Sequence, residues 1–325
     1  MRKTLCFVSL LSAYLVLAAS AGSAALPPEL PEWAVGLPSA QESLPGSGTQ
    51  GDSLLHAPIP PSLALAQHLM RIGDFEAAAL ECQRFLFLFP DSPLAYLGWS
   101  ILGRSLSLQG DVQAACSAWQ HAWRVATDAP DKNEAAFQRA LLYLANKEPS
   151  RASLVMLDLE SSVTDSEMKC RMNFLAGLSA VELSQWSEAR RRFSTAFKEP
   201  DSHADGQLAA QLDRLLLDAS TTSRRSPTTA RWLSTFVPGS GQIYAGDHWN
   251  GVNALLINGL GVWLLANSLK GREWDEVGLN LTFFLGRYYL GNRYQAGVRA
   301  ENGNLRREER IRRDAWQLAR SAVRE

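Results

Sequence analysis

The side chains best suited to metal binding or nucleophilic catalysis in this 325-residue chain are five histidines and four cysteines. They are His56, His68, His121, His203 and His248, with Cys6, Cys82, Cys116 and Cys170. A metal-assisted hydrolase needs ligands one helical turn apart, and no H-E-x-x-H supplies them. No C-x2-C pairs two thiolates for a structural zinc. No G-x-S-x-G elbow presents an activated serine. The glycine-rich run at Gly239, Gly241, Gly246 and Gly251 lacks both the G-K-[ST] of a phosphate loop and the strand before it. Asp158 and Glu160 read as helix-surface charges. No catalytic, cofactor-binding or metal-binding residue is therefore expected. A formal charge of -1 gives no general attraction to nucleic acid. The chain reads as a binding protein, and the elements that would present its surface come next.

Those elements repeat. Gly73, Gly110, Lys147 and Ser184 are spaced 37 residues apart. Five residues after each comes alanine: Ala78, Ala115, Ala152 and Ala189. Nine residues after each comes Cys82, Trp119, Met156 or Phe193, and twelve after, Phe85, Ala122, Leu159 or Ala196. A fixed period in this range marks stacked supersecondary units rather than one globular core. Four helix–turn–helix units are expected between about 62 and 200. Gly73-Asp74 and Gly110-Asp111 break the first two, and Pro90 and Pro200 end the second helices of the first and fourth. The first helix of unit two is expected over Pro93–Gln109, and unit three over about 132–160. A helix over about Ala204–Ala219 is expected to cap the last apolar face.

These residues resemble the tetratricopeptide repeat family, whose signature is W-x2-L-G-x2-Y followed by A-x3-F-x2-A before a proline. Trp99, Leu102 and Gly103, then Ala115, Trp119 and Ala122, match in unit two, with Leu106 where the family has Tyr. Unit four matches at Gly177, Ala189, Phe193 and Ala196, and unit three keeps Tyr143 and Ala152. The family's repeat is 34 residues, so a step of 37 implies longer helices or turns. The resemblance covers about 140 residues. It implies an all-α, TPR-like solenoid whose concave groove binds peptides or partner proteins.

The ends supply a location. Arg2 and Lys3 precede an apolar run, Leu5–Ala19, and small residues that offer two cleavage sites. A signal peptide over 1–25 is expected, with an uncleaved anchor helix as the alternative. Residues 26–61 hold eight of the fifteen prolines and read as a disordered spacer. Cys82, Cys116 and Cys170 remain after export, and an odd number leaves at least one free. Cys82 and Cys116 stand among apolar neighbours, as core thiols do.

A second composition follows a basic linker, 221–231. Pro238, Gly239, Gly241, Gln242, Tyr244 and Gly246 resemble the P-G-x-G-Q-x-Y-x-G opening of small bacterial two-helix membrane domains of unknown function. Gly251 and two apolar segments follow, Val252–Leu269 and Val277–Leu290. The expectation is a membrane-associated helical hairpin over 232–298, with a buried soluble helical hairpin as the alternative, Tyr244 and Trp249 as interface aromatics, and Arg287 snorkelling to headgroups or else an intramembrane functional charge. Asn258 and Asn280 could pair across it, and Gly278, Thr282 and Gly286 could let helices approach. The tail, 299–325, mixes charges and reads as a solvated helix. Its arginines and those of the linker favour a cytoplasmic side, against the export signal, which acts first.

Two functions fit. One is an exported, membrane-tethered scaffold on the periplasmic face, of the inner membrane rather than the outer, that gathers envelope proteins. In the other the hairpin does the work, assisting transport, insertion or envelope assembly, and the repeats dock partners.

Overall fold

The computed structural model describes residues 60–199, 204–272, 274–282 and 289–322. The side chains of Glu276, Leu279 and Asn280 lie outside the description, as do the expected signal and spacer, Gly286 and Arg287. Every element among the described residues is helical, so the fold is all-α. The chain divides into two compact units: residues 1–219 with 313–325, and residues 220–312.

The first unit is a stack of helix pairs. They are α1 (Pro61–Ile72) with α2 (Phe75–Leu88), α3 (Ala95–Gln109) with α4 (Val112–Val125), α5 (Ala129–Ala145) with α6 (Pro149–Glu160), and α7 (Ser166–Glu182) with α8 (Trp186–Ala196). The 37-residue step lands on the four turns. Gly73 and Gly110 have φ of +84° and +85°, and Lys147 and Ser184, without glycine's freedom, are held at +59° and +56°. Each turn closes with the same bond: Asp74, Asp111, Glu148 and Gln185 donate their amides to Leu69, Leu106, Tyr143 and Ala180 carbonyls. That six-to-one bond satisfies a carbonyl the helix end would leave bare. Asp74 and Asp111 then cap the next helix through their carboxylates.

Behind each turn the expected positions are buried. Ala78, Ala115, Ala152 and Ala189 are inaccessible, and Cys82, Trp119, Met156 and Phe193 lie nearly so. Gly103 and Gly177 lie against Trp119 and Phe193; a Cβ on either would stand 2.8–3.0 Å from those rings. The positions 37 residues away, Ala66 and Ala140, carry a methyl group and belong to pairs with the smaller Cys82 and Met156. Volume is thus exchanged between facing positions at constant packing. First helices touch their counterparts along the stack, α1 to α3, α3 to α5 and α5 to α7, and so form one continuous layer.

Two helix starts differ from expectation. α3 begins at Ala95 because Ser92 accepts the amides of Leu94 and Ala95 in a turn around Pro93. α5 begins at Ala129 because the Asp128 carboxylate caps it and Pro130 fits its first turn.

The end of the stack is a larger correction. α9 (Gly206–Thr221) buries Leu212, Leu216 and Ala219, as a cap should. Residues 313–322, however, are not a solvated tail. α14 (Leu290–Ala322) runs through 299–322, and Ala315, Trp316, Ala319 and Ala322 are buried in the core shared by α5 to α9. The charge mixture from Glu301 to Arg313 concealed this small-residue face.

The second unit holds α10 (Pro227–Phe236), α11 (Ser240–Tyr244), α12 (His248–Gly271), α13 (Trp274–Leu281) and the first part of α14. α12 begins at His248, capped by Asp247, and is longer than the expected Val252–Leu269.

Candidate functional site

The P-G-x-G-Q-x-Y-x-G motif is a knot of close backbone contacts. Gly239, at φ +95°, lies so near Gly251 that a Cβ on it would stand 2.1 Å from the Gly251 carbonyl. A Cβ on Gly241 would stand 1.9 Å from the Ala230 carbonyl, and the Gly241 amide donates to Ser234 Oγ at 3.1 Å. Three of the glycines therefore draw α10, α11 and α12 together where no side chain fits. The fourth, Gly246, turns at φ +88° beside the Arg225 guanidinium, which donates to the Ala245 carbonyl.

Long-range polar contacts close the knot. Tyr244 is half-buried, and its hydroxyl accepts from the Ser226 amide at 3.1 Å. It holds the knot together, while Trp249 is 77% exposed. Asn304 brackets Arg225, accepting its amide at 3.0 Å and donating to its carbonyl at 2.8 Å. Asp247 pairs with Arg299, and Glu308 with Arg224 at 2.6 Å. Gln242 donates to Asn292, both more than nine-tenths buried, and among the described residues Gln242 Oε1 and Asn292 Nδ2 have no further partner. Ala230, Ala245, Ala296 and Ala300 fill the space between.

From this knot rises α12. Its 24 residues reach about 36 Å at a rise of about 1.5 Å each, against a hydrocarbon core of about 30 Å. Among the described residues it is the one helix long and apolar enough to cross a membrane. Its apolar side chains are not spent on a core: Val252, Leu256, Leu260, Val262, Trp263 and Leu269 are exposed, and only Gly251, Gly261 and Ser268 are buried. One stripe, Ala254, Asn258, Gly261, Leu265 and Ser268, is buried or half-buried, and the broad exposed apolar face opposite it is what a lipid-facing helix shows. Asn258 donates to Ala254 of its own helix at 2.7 Å. The Thr282 hydroxyl donates back to Gly278 at 2.9 Å. α13 packs beside α12 after a left-handed turn at Arg272. Trp232, Leu233 and Phe236 on α10 are exposed as well, with Arg293 over the Trp232 ring at 5.9 Å.

In the helix-pair unit, polar and aromatic groups also lie between neighbouring helices. Trp99 stacks on His121 with ring centroids 4.4 Å apart. Arg171 lies over Phe137 at 4.5 Å and reaches Glu134 at 2.9 Å. Burial first, then Asp128, pushes the Asp131 carboxyl up to about 6, and a hydrogen bond from Tyr96 opposes that rise. Arg192 is buried and joins three helices, bonding Glu188 at 2.7 Å, Glu160 at 2.9 Å and Asn173 at 3.3 Å. Hydrogen bonds from Arg191 hold Glu188 at about 2. Glu160 is exposed, as expected of a surface charge, and also anchors a buried arginine.

Burial raises the Cys82 thiol to about 12 and the Cys116 thiol to about 11, so both are protonated core groups without thiolate reactivity. All three described cysteines are buried. No group of metal-binding side chains occurs among the described residues. No protein-family model matches the chain, and no characterised protein matches it at the significance required.

Proposed function

We propose that the protein is an exported, membrane-tethered scaffold: a tetratricopeptide-like array that binds partner proteins or peptides of the bacterial envelope, held to lipid by the unit around α12. The carrying observation is one chain that joins a periodic helix-pair stack to a 24-residue helix with a broad face of exposed apolar side chains. The tetratricopeptide resemblance is supported by its signature positions. Trp119 and Phe193 sit against Gly103 and Gly177, and Ala115, Ala122, Ala189 and Ala196 are buried beside them. The continuous layer of first helices, bearing Tyr96, Trp99, Tyr143 and Arg171, is the groove in this reading. In this reading the targeting segment directs the array to the periplasmic face.

A second reading rests on the Gln242–Asn292 pair. Two buried amides with unmet hydrogen-bonding capacity are costly in an apolar unit, and such groups concentrate where a protein acts. In that case the membrane unit assists transport, insertion or assembly, and the array recruits its clients.

Deleting 226–298 and crosslinking in cells separates the two. Capture of the same proteins with restored phenotype supports the tethered scaffold; capture retained with function lost supports the second reading. Loss of capture with the array still folded would contradict the first.

A further inference from the structure

The 37-residue step does not stop at the fourth pair. Ser105, Leu142, Ser179 and Leu216 stand at that spacing on α3, α5, α7 and α9, and all are buried. α9 therefore continues the step at Leu216, although Arg214, at the step of Ala66, Gly103, Ala140 and Gly177, is exposed. The helix expected to follow it does not follow in sequence. After Thr221, 91 residues (222–312) intervene before the chain returns to this unit at Arg313.

What returns carries the second-helix pattern. Ala315, Ala319 and Ala322 are spaced four and three apart, as are Ala78, Cys82 and Phe85, or Ala115, Trp119 and Ala122. All three are buried at 1% exposure or less. The pairing is antiparallel in the same sense as in the fourth pair. There Ser166, at the start of α7, bonds Glu199 just beyond α8 at 3.1 Å. In the fifth, the Asp205 amide at the start of α9 bonds the Ala322 carbonyl at 2.8 Å. Trp316 is 6% exposed and its indole N–H donates to Glu182 at the end of α7.

We infer that α9 and residues 313–322 are the two halves of a fifth helix pair, split by the α10–α13 unit, and that α7 and α9 form a docking groove for a small-residue helix which this chain fills with its own C-terminus. The groove reads three features. Inaccessible alanine positions exclude larger or charged side chains. A tryptophan donates to Glu182. Leu212 and Leu216 supply the apolar floor.

The test uses the full chain in detergent micelles, ended after Arg312, and a synthetic peptide of residues 309–325 labelled with a fluorophore. The shortened protein should exchange its α9 amides at least about tenfold faster, with α1–α4 unchanged. The peptide should bind it saturably and restore protection, and a peptide carrying Ala315→Arg should do neither. Should the shortened protein fail to fold, Ala315→Arg in the full chain gives the same reading. Its α9 exchange should accelerate while α1–α4 hold. Unchanged α9 exchange in the variant, or equal binding by both peptides, would overturn the inference.

Discussion

Gly103 gives the sharpest test of the packing, because two opposed effects act on it. Inside a helix, Gly→Ala normally stabilises by about 0.5–1 kcal/mol through lost backbone freedom of the unfolded chain. Here the new Cβ would stand 2.8 Å from Trp119 Nε1 and 2.9–3.0 Å from two further indole atoms. The ring is 4% exposed and rigid, so it cannot rotate away and α4 must shift. Overpacking of this kind costs about 1–3 kcal/mol. The balance predicts net destabilisation on the order of 1 kcal/mol for Gly103→Ala. Trp119→Leu removes the opposing edge, and in that background the same Gly103→Ala change should stabilise by about 0.5–1 kcal/mol. Hydrogen exchange of α3 and α4 amides in the full-length protein reads both variants locally, which suits an array that need not open as one body. A reversal of sign between the two backgrounds is the expected result. Stabilisation by Gly103→Ala with Trp119 present would refute the reasoning.

Lys147→Gly and Ser184→Gly should each stabilise by about 1 kcal/mol, because both residues are held in the left-handed region that disfavours a Cβ. A Tm rise of about 2–4 °C would register either one. Asp131→Asn tests the raised carboxyl. Its acid form is favoured in the fold, so the contribution is present below the ordinary value of 3.8 and is lost as pH rises through about 6. The variant should melt higher than the parent at pH 8 and match it near pH 3; an equal difference at both would count against the burial of Asp131. Cys82, with its thiol raised to about 12, should resist a maleimide in the native protein and react once urea opens the array. Rapid native labelling would contradict its place in the core.

The helix-pair stack was legible because local signals recur: a turn residue, a buried alanine and a larger apolar residue at one fixed step. Even Lys147 and Ser184, poor left-handed residues, were found by register alone. The fifth pair was hidden for the opposite reason. Its second helix lies 91 residues downstream, behind a run of arginine and glutamate, with no glycine turn before it. In the second unit the glycines signalled tight turning, but not which backbone each one meets; Gly239 with Gly251, and Gly241 with Ala230, are contacts across the chain. Gln242 with Asn292, and Arg225 with Asn304, join residues 50 and 79 apart, a distance at which pattern carries no information. Tyr244 looked like an interface aromatic because its role depends on Ser226, a partner that only the fold supplies.

Alkaline carbonate extraction of membranes bearing the full chain tests the tether most directly. An apolar helix of 24 residues, with a broad exposed face and long enough for the hydrocarbon core, should keep the protein in the membrane pellet. Leu256→Arg with Leu260→Arg adds about 2.5–3.5 kcal/mol per charge at mid-helix and should shift it to the supernatant. Release of the unaltered protein, or pellet retention of the doubly charged one, would contradict membrane anchoring by α12.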